Sequence, residues 1–256
     1  MKIEIDLNKT VEANASGYYE RIKKLKKKLD GAKEALADTL SKLKIVLDDK
    51  NKELEFKKTE KKEPKEWYEK FRWFISSEGF LIIGGRDATS NEIVIKKHTE
   101  KDDLVFHTDM VGSPFFVIKT EGKTPSKSTI KEAADATITF SRAFKLGLSN
   151  NKVFMAKPEQ LTKEAKSGEY VPKGGFVTTG KLEYIDNKIN LAVGNYNGKI
   201  MAGPLESIKA NCKDYVVLEQ GQEKPAKIAK VIHFKIKGDL DDIMRTLPTG
   251  LFRIKK

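Results

Sequence analysis

The chain contains very little of what a secreted, zinc-bound or membrane-spanning protein needs. It has one cysteine, Cys212, among 256 residues, so no intrachain disulfide can form. No CxxC motif or Cys/His cluster is present to bind structural zinc, and we expect no cofactor. The start, MKIEIDLNK, lacks the apolar core of a signal peptide, and no apolar run of about 18 residues occurs. These absences predict a cytoplasmic protein without a membrane partner.

The motifs of the common hydrolases and nucleotide-binding enzymes are also missing. There is no GxSxG sequence and no Walker loop. The triplet His107-Thr108-Asp109 is the best candidate for catalysis, because alternation in a strand would place His107 and Asp109 on one side. With Asp103 nearby, an RNA-acting hydrolase or nuclease is one interpretation. Hydrogen-bonded structural roles are the other, and we predict no enzyme.

The chain has fewer acidic than basic residues. Lysine and arginine total 49 against 37 acidic residues, which gives a net charge of +12 and a pI near 9.4. A surplus of this size favours a polyanionic partner such as RNA.

The first quarter of the chain has the pattern of a helix. Its apolar residues recur every three or four positions, which places them on one narrow stripe: Ile22, Leu25, Leu29, Ala32, Leu36, Leu40, Leu43 and Leu47. We expect a helix over about 11–47, a polar break at 48–51, and a second, shorter helix up to Pro64 that folds back on the first. Residues 1–65 would therefore form a helical coiled-coil hairpin, the arm.

The arm carries a dense group of lysines beside its apolar stripe: Lys23, Lys24, Lys26, Lys27 and Lys28. A solvated helix face explains them simply. Contact with phosphates is the alternative, and attachment to an RNA-binding body would favour it.

Residues 66–256 show the pattern of an α+β domain, a mainly antiparallel sheet packed by helices. Short β-rich runs predict strands at 80–83, 92–96, 104–107, 115–119, 152–156, 176–179, 181–185, 189–193 and 215–218. The main helix is expected over 128–146, with Ser128 as its N-cap and Gly147 as its stop. A short helix before Tyr215 and helices at 224–237 and 239–247 follow as a carboxy-terminal extension of the same domain.

Two features near the start of this domain allow more than one interpretation. The aromatic residues Phe71, Trp73, Phe74 and Phe80 could stack on unpaired bases, or they could form part of a hydrophobic core. The sequence Gly84-Gly85-Arg86-Asp87 could be a tight turn with a local ion pair. It could equally be a loop whose backbone approaches a phosphate while Arg86 supplies a fork of donors.

Several motifs in this region resemble those of the NFACT-R domain of the NFACT family. They are WYEKFRWFISSEGFLIIGGRDATSNE, DLVFHTDMVGSPFFVIK, KSTIKEAADATITFSRAF and PEQLTKEAKSGEYVPKGGFVTTGK, in the order in which the family has them. Together they cover about 67–185, and Thr108 stands where alanine is usual. The segment IDLNKTVEANASGYYERIKKLKKKLDGAKEAL is similar to the coiled coil of the same family.

The resemblance implies a non-enzymatic RNA-binding module of ribosome-associated quality control. Such factors bind large ribosomal subunits obstructed by peptidyl-tRNA, and support tRNA recruitment for mRNA-independent tailing of the stalled chain. The implied partners are the large ribosomal subunit, rRNA and tRNA, with other quality-control proteins reached through the arm. A protein-interaction scaffold built on the arm is a further alternative.

The candidate RNA-binding residues combine basic, aromatic and loop positions: Arg72, Trp73, Arg86, Asp87, Asn91, Lys96, Lys97, His107, Asp109, Lys119, Lys127, Lys163, Tyr170 and Lys181. The amino-terminal NFACT-N domain of the family has no counterpart here. We therefore expect the carboxy-terminal half of a longer protein or a natural truncated form, with an archaeal character after about residue 194.

Overall fold

The computed structural model describes residues 3–59, 65–148, 152–164 and 170–255. The chain divides into two compact units, residues 1–65 and residues 66–256, and each is described by itself.

The first unit, which we call the arm, is dominated by one helix, α1, Val11–Thr59, of 49 residues. At about 1.5 Å per residue, this helix is about 74 Å long. The short segment before it folds back onto its first turns. The Asn14 side chain accepts from the backbone N–H of Asp6 at 2.9 Å and donates to the Asp6 carbonyl at 3.0 Å, and the Tyr18 hydroxyl donates to the Glu4 carbonyl.

The expected helical hairpin is wrong, because α1 continues without interruption through Asp48–Asn51. Those four residues include neither glycine nor proline, and Asp or Asn within a helix costs only about 0.7 kcal/mol each relative to alanine. The end of the expected second helix, 60–64, lies outside the described residues. The apolar stripe remains open to solvent, with Leu25, Leu36 and Leu43 between 52% and 60% exposed.

The second unit, which we call the body, contains a six-stranded sheet in which all neighbouring strands are antiparallel. Its strands are β1 (Arg72–Ile75), β2 (Leu81–Gly84), β3 (Leu104–Thr108), β4 (Phe116–Ile118), β5 (Val153–Ala156) and β8 (Glu183–Ile185). Their order across the sheet is β1-β2-β4-β3-β5-β8. Strands distant in sequence therefore meet at its centre.

A second sheet in the body has the order β10-β9-β11-β12. Its strands are β9 (Leu191–Tyr196), β10 (Lys199–Gly203), β11 (Tyr215–Glu223) and β12 (Phe252–Ile254). A two-stranded ribbon adds β6 (Leu161–Thr162) and β7 (Val177–Thr178). The predicted antiparallel α+β architecture is thus confirmed, although β1, β6, β10 and β12 were not expected.

The helices of the body are α2 (Ala88–Lys97), α3 (Lys127–Thr139), α4 (Arg142–Leu146), α5 (Leu205–Asn211), α6 (Pro225–Ile236) and α7 (Leu240–Thr246). The strand predicted at 92–96 is wrong, since α2 occupies these residues and Asp87 caps it by accepting from the Ser90 N–H at 2.7 Å. The single helix expected over 128–146 is divided in two, because the Ser141 side chain caps a new helix at Ala143 N–H. Ser126, not Ser128, caps α3, whereas Gly147 ends α4 at φ 70° as expected.

One hydrophobic cluster joins the two sheets of the body. Phe74, Phe106 and Phe116 are fully buried in it, together with Val193 and Met201 from the second sheet. The aromatic cluster at the start of the body belongs to this core. Burial of large apolar side chains is the dominant favourable term in folding, so these residues hold the two sheets together.

Candidate nucleic-acid interface

A groove of about 540 Å³ opens on the body between the ends of β2 and β3, the start of α2 and the segment 170–177. We call it the central groove. Half of the candidate residues predicted in the body line it: Arg72, Arg86, Asp87, Asn91, His107, Asp109 and Tyr170. They come from segments far apart in the sequence, so the groove exists only because the strands pair across the sheet.

Asn91 makes the floor of the central groove rigid. Its side-chain oxygen accepts from the Phe115 N–H at 3.1 Å, and its side-chain nitrogen donates to the Ser113 carbonyl at 3.3 Å. A Cβ at Gly85 would lie 1.8 Å from that same oxygen, so only glycine allows the chain to approach this closely. With both ends of its amide engaged, Asn91 positions the groove walls.

Arg86 and Asp87 do not form the local ion pair that a tight turn would suggest. Asp87 caps α2, and the backbone N–H of Ser90 holds the pKa of the Asp87 carboxyl below its usual value. Arg86 instead donates from Nη1 to the Arg245 carbonyl and from Nη2 to the Phe71 carbonyl, both at 2.9 Å. Its Nε is buried without a hydrogen-bond partner among the described residues.

Arg72 lies beside Arg86 at one end of the groove. It donates to the Thr246 carbonyl at 3.2 Å, and its guanidinium carbon is 4.5 Å from the centre of the Phe140 ring. Burial lowers the pKa of Arg72 to about 9, and the positive charge of Arg86 adds to the effect. Two partly desolvated cations side by side would be stabilised by an anion between them.

His107 is a neutral side chain in the wall of the groove. Its Nδ1 donates to the Pro114 carbonyl at 3.0 Å, and its ring is stacked on Phe115 at 3.7 Å between ring centres. Burial lowers the pKa of His107 below its ordinary value of 6.5, so the imidazole is uncharged at neutral pH. Because Nδ1 carries the proton, Nε2 is an acceptor.

The carboxylates expected around His107 are only partly brought together. Asp109 is exposed and lines the groove with His107. Asp103, in contrast, is 1% exposed, accepts from the Thr120 N–H at 3.0 Å and forms a buried ion pair with Lys119. Asp103 therefore has a structural role, and the three-residue catalytic centre that the sequence suggested is not assembled. Nor do the described residues contain a group of three His, Cys, Asp or Glu side chains arranged to hold a metal ion.

The segment 170–177 forms the outer wall of the groove, and a network around Glu92 holds it in place. The Gly174 N–H donates to Glu92 at 3.3 Å, and Lys163 lies 3.4 Å from the same carboxylate and 4.5 Å from the centre of the Phe176 ring. Hydrogen bonding by Lys96 is the main cause that lowers the pKa of Glu92 to about 2. Lys96 and Lys163 thus support the wall.

Tyr170 is the most exposed aromatic side chain of this wall, at 85% exposure. A ring in this position is available to stack on a ligand, since aromatic faces bind unpaired bases of any sequence.

Two candidates are excluded from RNA contact by burial. Trp73 is 6% exposed and its ring packs against Tyr68 and Tyr196, with ring centres 5.0 and 6.2 Å away, so it cannot stack on a base. Lys119 is 8% exposed and pairs with both Asp103 and Glu100, which leaves it no charge to offer a phosphate. Alternate residues of a strand point to opposite faces of the sheet, and the sequence alone did not indicate which of the two faces is buried.

The remaining lysines are exposed but lie outside the lining of the central groove: Lys97, Lys127 and Lys181 in the body, and Lys23, Lys24, Lys26, Lys27 and Lys28 on α1. Sequence reasoning also missed residues that line the groove. Lys173, Phe176 and Val111 are among them, and Val111 is 81% exposed. The neighbouring Gly174 and Gly112, both at positive φ, were the available signals for close backbone turns.

The fold and the groove define a binding module: an antiparallel α+β body with a groove that combines arginines, hydrogen-bond acceptors and the exposed ring of Tyr170. The NFACT protein RNA binding domain family matches residues 70–180. The archaeal Rqc2 homologue aRqcH of Methanocaldococcus jannaschii is 43% identical over 79% of this chain and 31% of its own length. The chain belongs to the NFACT family.

Animal ribosome quality control proteins are also similar to this chain, at lower sequence identity. The ribosome quality control complex subunit NEMF of Homo sapiens is 33% identical over 68% of this chain and 16% of its own length. The NEMF homologue of Drosophila melanogaster is 31% identical over 72% and 18%. The chain therefore spans less than a third of the length of these relatives. No helix in the described part of the chain is both long and apolar enough to cross a membrane.

Proposed function

We propose that this chain is the RNA-binding module of a ribosome-associated quality-control factor. It would contact rRNA or tRNA on obstructed large ribosomal subunits in the cytoplasm. One observation carries the proposal: every residue that lines the central groove falls within the residues matched to the RNA-binding domain, 70–180. The names of the relatives, which place them in ribosome quality control, support the choice of partner.

The finer parts of this function are proposals about the longer proteins that contain such a module. They comprise the recruitment of tRNA, the mRNA-independent tailing of stalled chains, and contacts of the arm with other quality-control proteins. The exposed apolar stripe of α1 supports the last of these, because Leu25, Leu36 and Leu43 are more than half exposed. The exposed lysines beside the stripe would add phosphate contacts.

We propose binding rather than catalysis as the task of the groove. Asp103 is held by Lys119 and Thr120, so it does not complete a nuclease centre with His107 and Asp109, and Nδ1 of His107 is bonded to the Pro114 carbonyl. Substituting His107 with Gln should leave salt-sensitive RNA binding in place. RNA cleavage by the chain that disappears in this variant would contradict the proposal.

The first experiment is co-sedimentation of the chain with purified large ribosomal subunits, with and without bound peptidyl-tRNA, across a salt series. Contacts with phosphates release counterions, so the logarithm of the binding constant should fall with the logarithm of the salt concentration, by about 0.7 to 0.9 per phosphate. Binding that weakens with salt and strengthens with peptidyl-tRNA supports the proposal. Binding to neither form of the subunit would contradict it.

A further inference from the structure

The central groove is not the uniformly basic track that a continuous phosphate backbone would favour. The positively charged side chains that line the groove are Arg72, Arg86 and Lys173. The negatively charged ones are Asp87 and Asp109. Lys173 lies close enough to Asp87 to lower the pKa of its carboxyl, although the Ser90 N–H has the larger effect. The charges that remain are the arginine pair and Asp109. Such a mixed lining indicates a ligand that is an anion at one end and a hydrogen-bond donor elsewhere.

The arginine pair, Arg72 and Arg86, has the chemistry of a phosphate site. Backbone carbonyls of Phe71, Arg245 and Thr246 fix the two guanidinium groups, and no carboxylate hydrogen-bonds to either of them among the described residues. Asp87, Asp242 and Arg245 act on Arg86 through their charges, the acids favouring its protonated form and Arg245 opposing it. Among the residues that the structure describes, the buried Nε of Arg86 has no acceptor. Planar guanidinium forks match the oxygens of a phosphate.

Asp109 and Nε2 of His107 are two hydrogen-bond acceptors in the groove. A neutral imidazole whose Nδ1 proton is given to the Pro114 carbonyl offers only a lone pair at Nε2, and an exposed carboxylate offers only acceptors. The amino and imino N–H groups of nucleobases are donors that these atoms can bind. A second phosphate would be repelled by Asp109.

The size and the aromatic content of the groove limit the ligand further. A volume of about 540 Å³ lies in the range of a small-molecule site, about 300 to 1,000 Å³. Tyr170 and Phe176 supply aromatic surface in its outer wall. A base that is paired within a duplex keeps its faces covered and cannot stack on such rings, whereas an unpaired base can.

We propose that the central groove binds one unpaired nucleotide of an RNA strand, with a phosphate between Arg72 and Arg86 and the base against Tyr170. The N–H groups of the base then point to Asp109 and His107. This inference rests on the proposed RNA-binding function and specifies the structure of RNA that the body selects.

The test compares three RNA probes of the same sequence by fluorescence anisotropy with the full chain: a single strand, a fully paired duplex, and the duplex with one bulged nucleotide. The single strand and the bulged duplex should bind at least about tenfold more tightly than the paired duplex, as expected for one stacked base. Tyr170→Ala should remove this preference, and Tyr170→Phe, which keeps the ring, should retain it.

The arginine site is tested in the same assay. Arg86→Gln should weaken binding of the single strand about tenfold or more, and Arg86→Lys should restore it only in part because lysine lacks the planar fork. Lys127→Gln is the matched control, since Lys127 is exposed and lies outside the groove. Equal losses for Arg86→Gln and Lys127→Gln would overturn the phosphate assignment.

Because Arg86 also holds the Phe71 and Arg245 carbonyls, its substitution could impair folding. A scan of abasic positions along the single strand tests the same point with the unchanged protein, and affinity should fall when the selected base is removed. Equal binding of all three probes, unaffected by Tyr170→Ala, overturns the single-nucleotide site and leaves RNA binding intact. Failure of all three probes to bind overturns the proposed function as well.

Discussion

The arm and the body contain similar apolar residues but use them in opposite ways. In α1, Leu36 and Leu40 remain 60% and 56% exposed, whereas in the body Phe106, Ile82 and Leu191 are at most 1% exposed. The helix of the arm is held by its own backbone hydrogen bonds, and isolated helices are only marginally stable in water. The body is held by side chains distant in sequence. The same substitution should therefore have different effects in the two units.

Truncation of a core side chain should produce the largest difference. Phe106→Ala removes a fully buried ring from the centre of the six-stranded sheet and should destabilise the body by about 4 kcal/mol. Leu36→Ala in the arm should change the helix little, because the leucine is mostly exposed. Both tryptophans, Trp67 and Trp73, lie in the body, so their fluorescence during urea unfolding measures the effect of Phe106→Ala, and circular dichroism at the helix band measures that of Leu36→Ala.

A loss of comparable size for Leu36→Ala would show that the stripe of the arm is already covered in solution. Sedimentation equilibrium across a concentration range would then identify self-association, since a monomer has a mass independent of concentration.

The buried ion pair of the body should give the second largest effect. Asp103→Asn leaves the ammonium of Lys119 in a buried site with only the exposed Glu100 as a charged partner, and should cost about 3 kcal/mol. Asp6→Asn, which breaks the exposed pair with Lys9 in the arm, should have little effect. Chemical unfolding of both variants measures the contrast. A body that tolerates Asp103→Asn would show that the pair is not a stabilising element.

Glycine to alanine substitutions should change the free energy of unfolding in opposite directions in the two units. Gly85→Ala places a Cβ against the Asn91 amide and should destabilise the body by about 2 kcal/mol. Gly31→Ala lies within α1 with nothing within 4 Å of the new methyl group, and should stabilise the helix by about 1 kcal/mol. Tryptophan fluorescence follows the first and circular dichroism at the helix band follows the second. Stability changes of the same sign in the two variants would contradict the difference in packing between the arm and the body.

These positions also show what could be predicted from the sequence. The periodicity of α1 and the positions of most body strands along the chain could be predicted because each depends on residues that are neighbours in the chain. The strand expected at 92–96 was wrong: the run of three β-branched residues, Ile93 to Ile95, is typical of a strand, whereas the Asp87 cap and the packing of Val94 favour a helix. The prediction of a helical hairpin was wrong because the polar residues 48–51 destabilise a helix only weakly.

The site was predictable residue by residue but not as an assembly. Arg86, His107 and Tyr170 carried the right chemistry in the sequence. Trp73 and Lys119 carried the same chemistry, but Trp73 is buried against Tyr68 and Tyr196, and Lys119 is buried in its ion pair with Asp103. Long-range pairing thus distinguishes ligand contacts from core.

Acidification should affect the body more than the arm, because all three histidines lie in the body. Burial lowers the pKa of His107 and of His98 in the folded state, so the unfolded chain binds more protons as pH falls through 6.5. The stability of the body should therefore decrease from neutral pH towards pH 5, and His107→Gln should reduce this dependence. Unfolding curves across that range measure it, and a pH dependence unchanged in the variant would contradict the assignment.

The measurement that tests the central claim most directly is the salt dependence of binding to large ribosomal subunits by three chains. They are the unchanged chain, the Tyr170→Ala/Arg86→Gln variant of the groove, and a variant with Lys23, Lys24, Lys26, Lys27 and Lys28 all changed to Gln. The groove variant should lose about tenfold or more in affinity with a slope shallower by about one phosphate contact, and the arm variant, which loses five lysines, should show a larger decrease in slope. A groove variant that binds like the unchanged chain, beside an arm variant that no longer binds, would contradict the account.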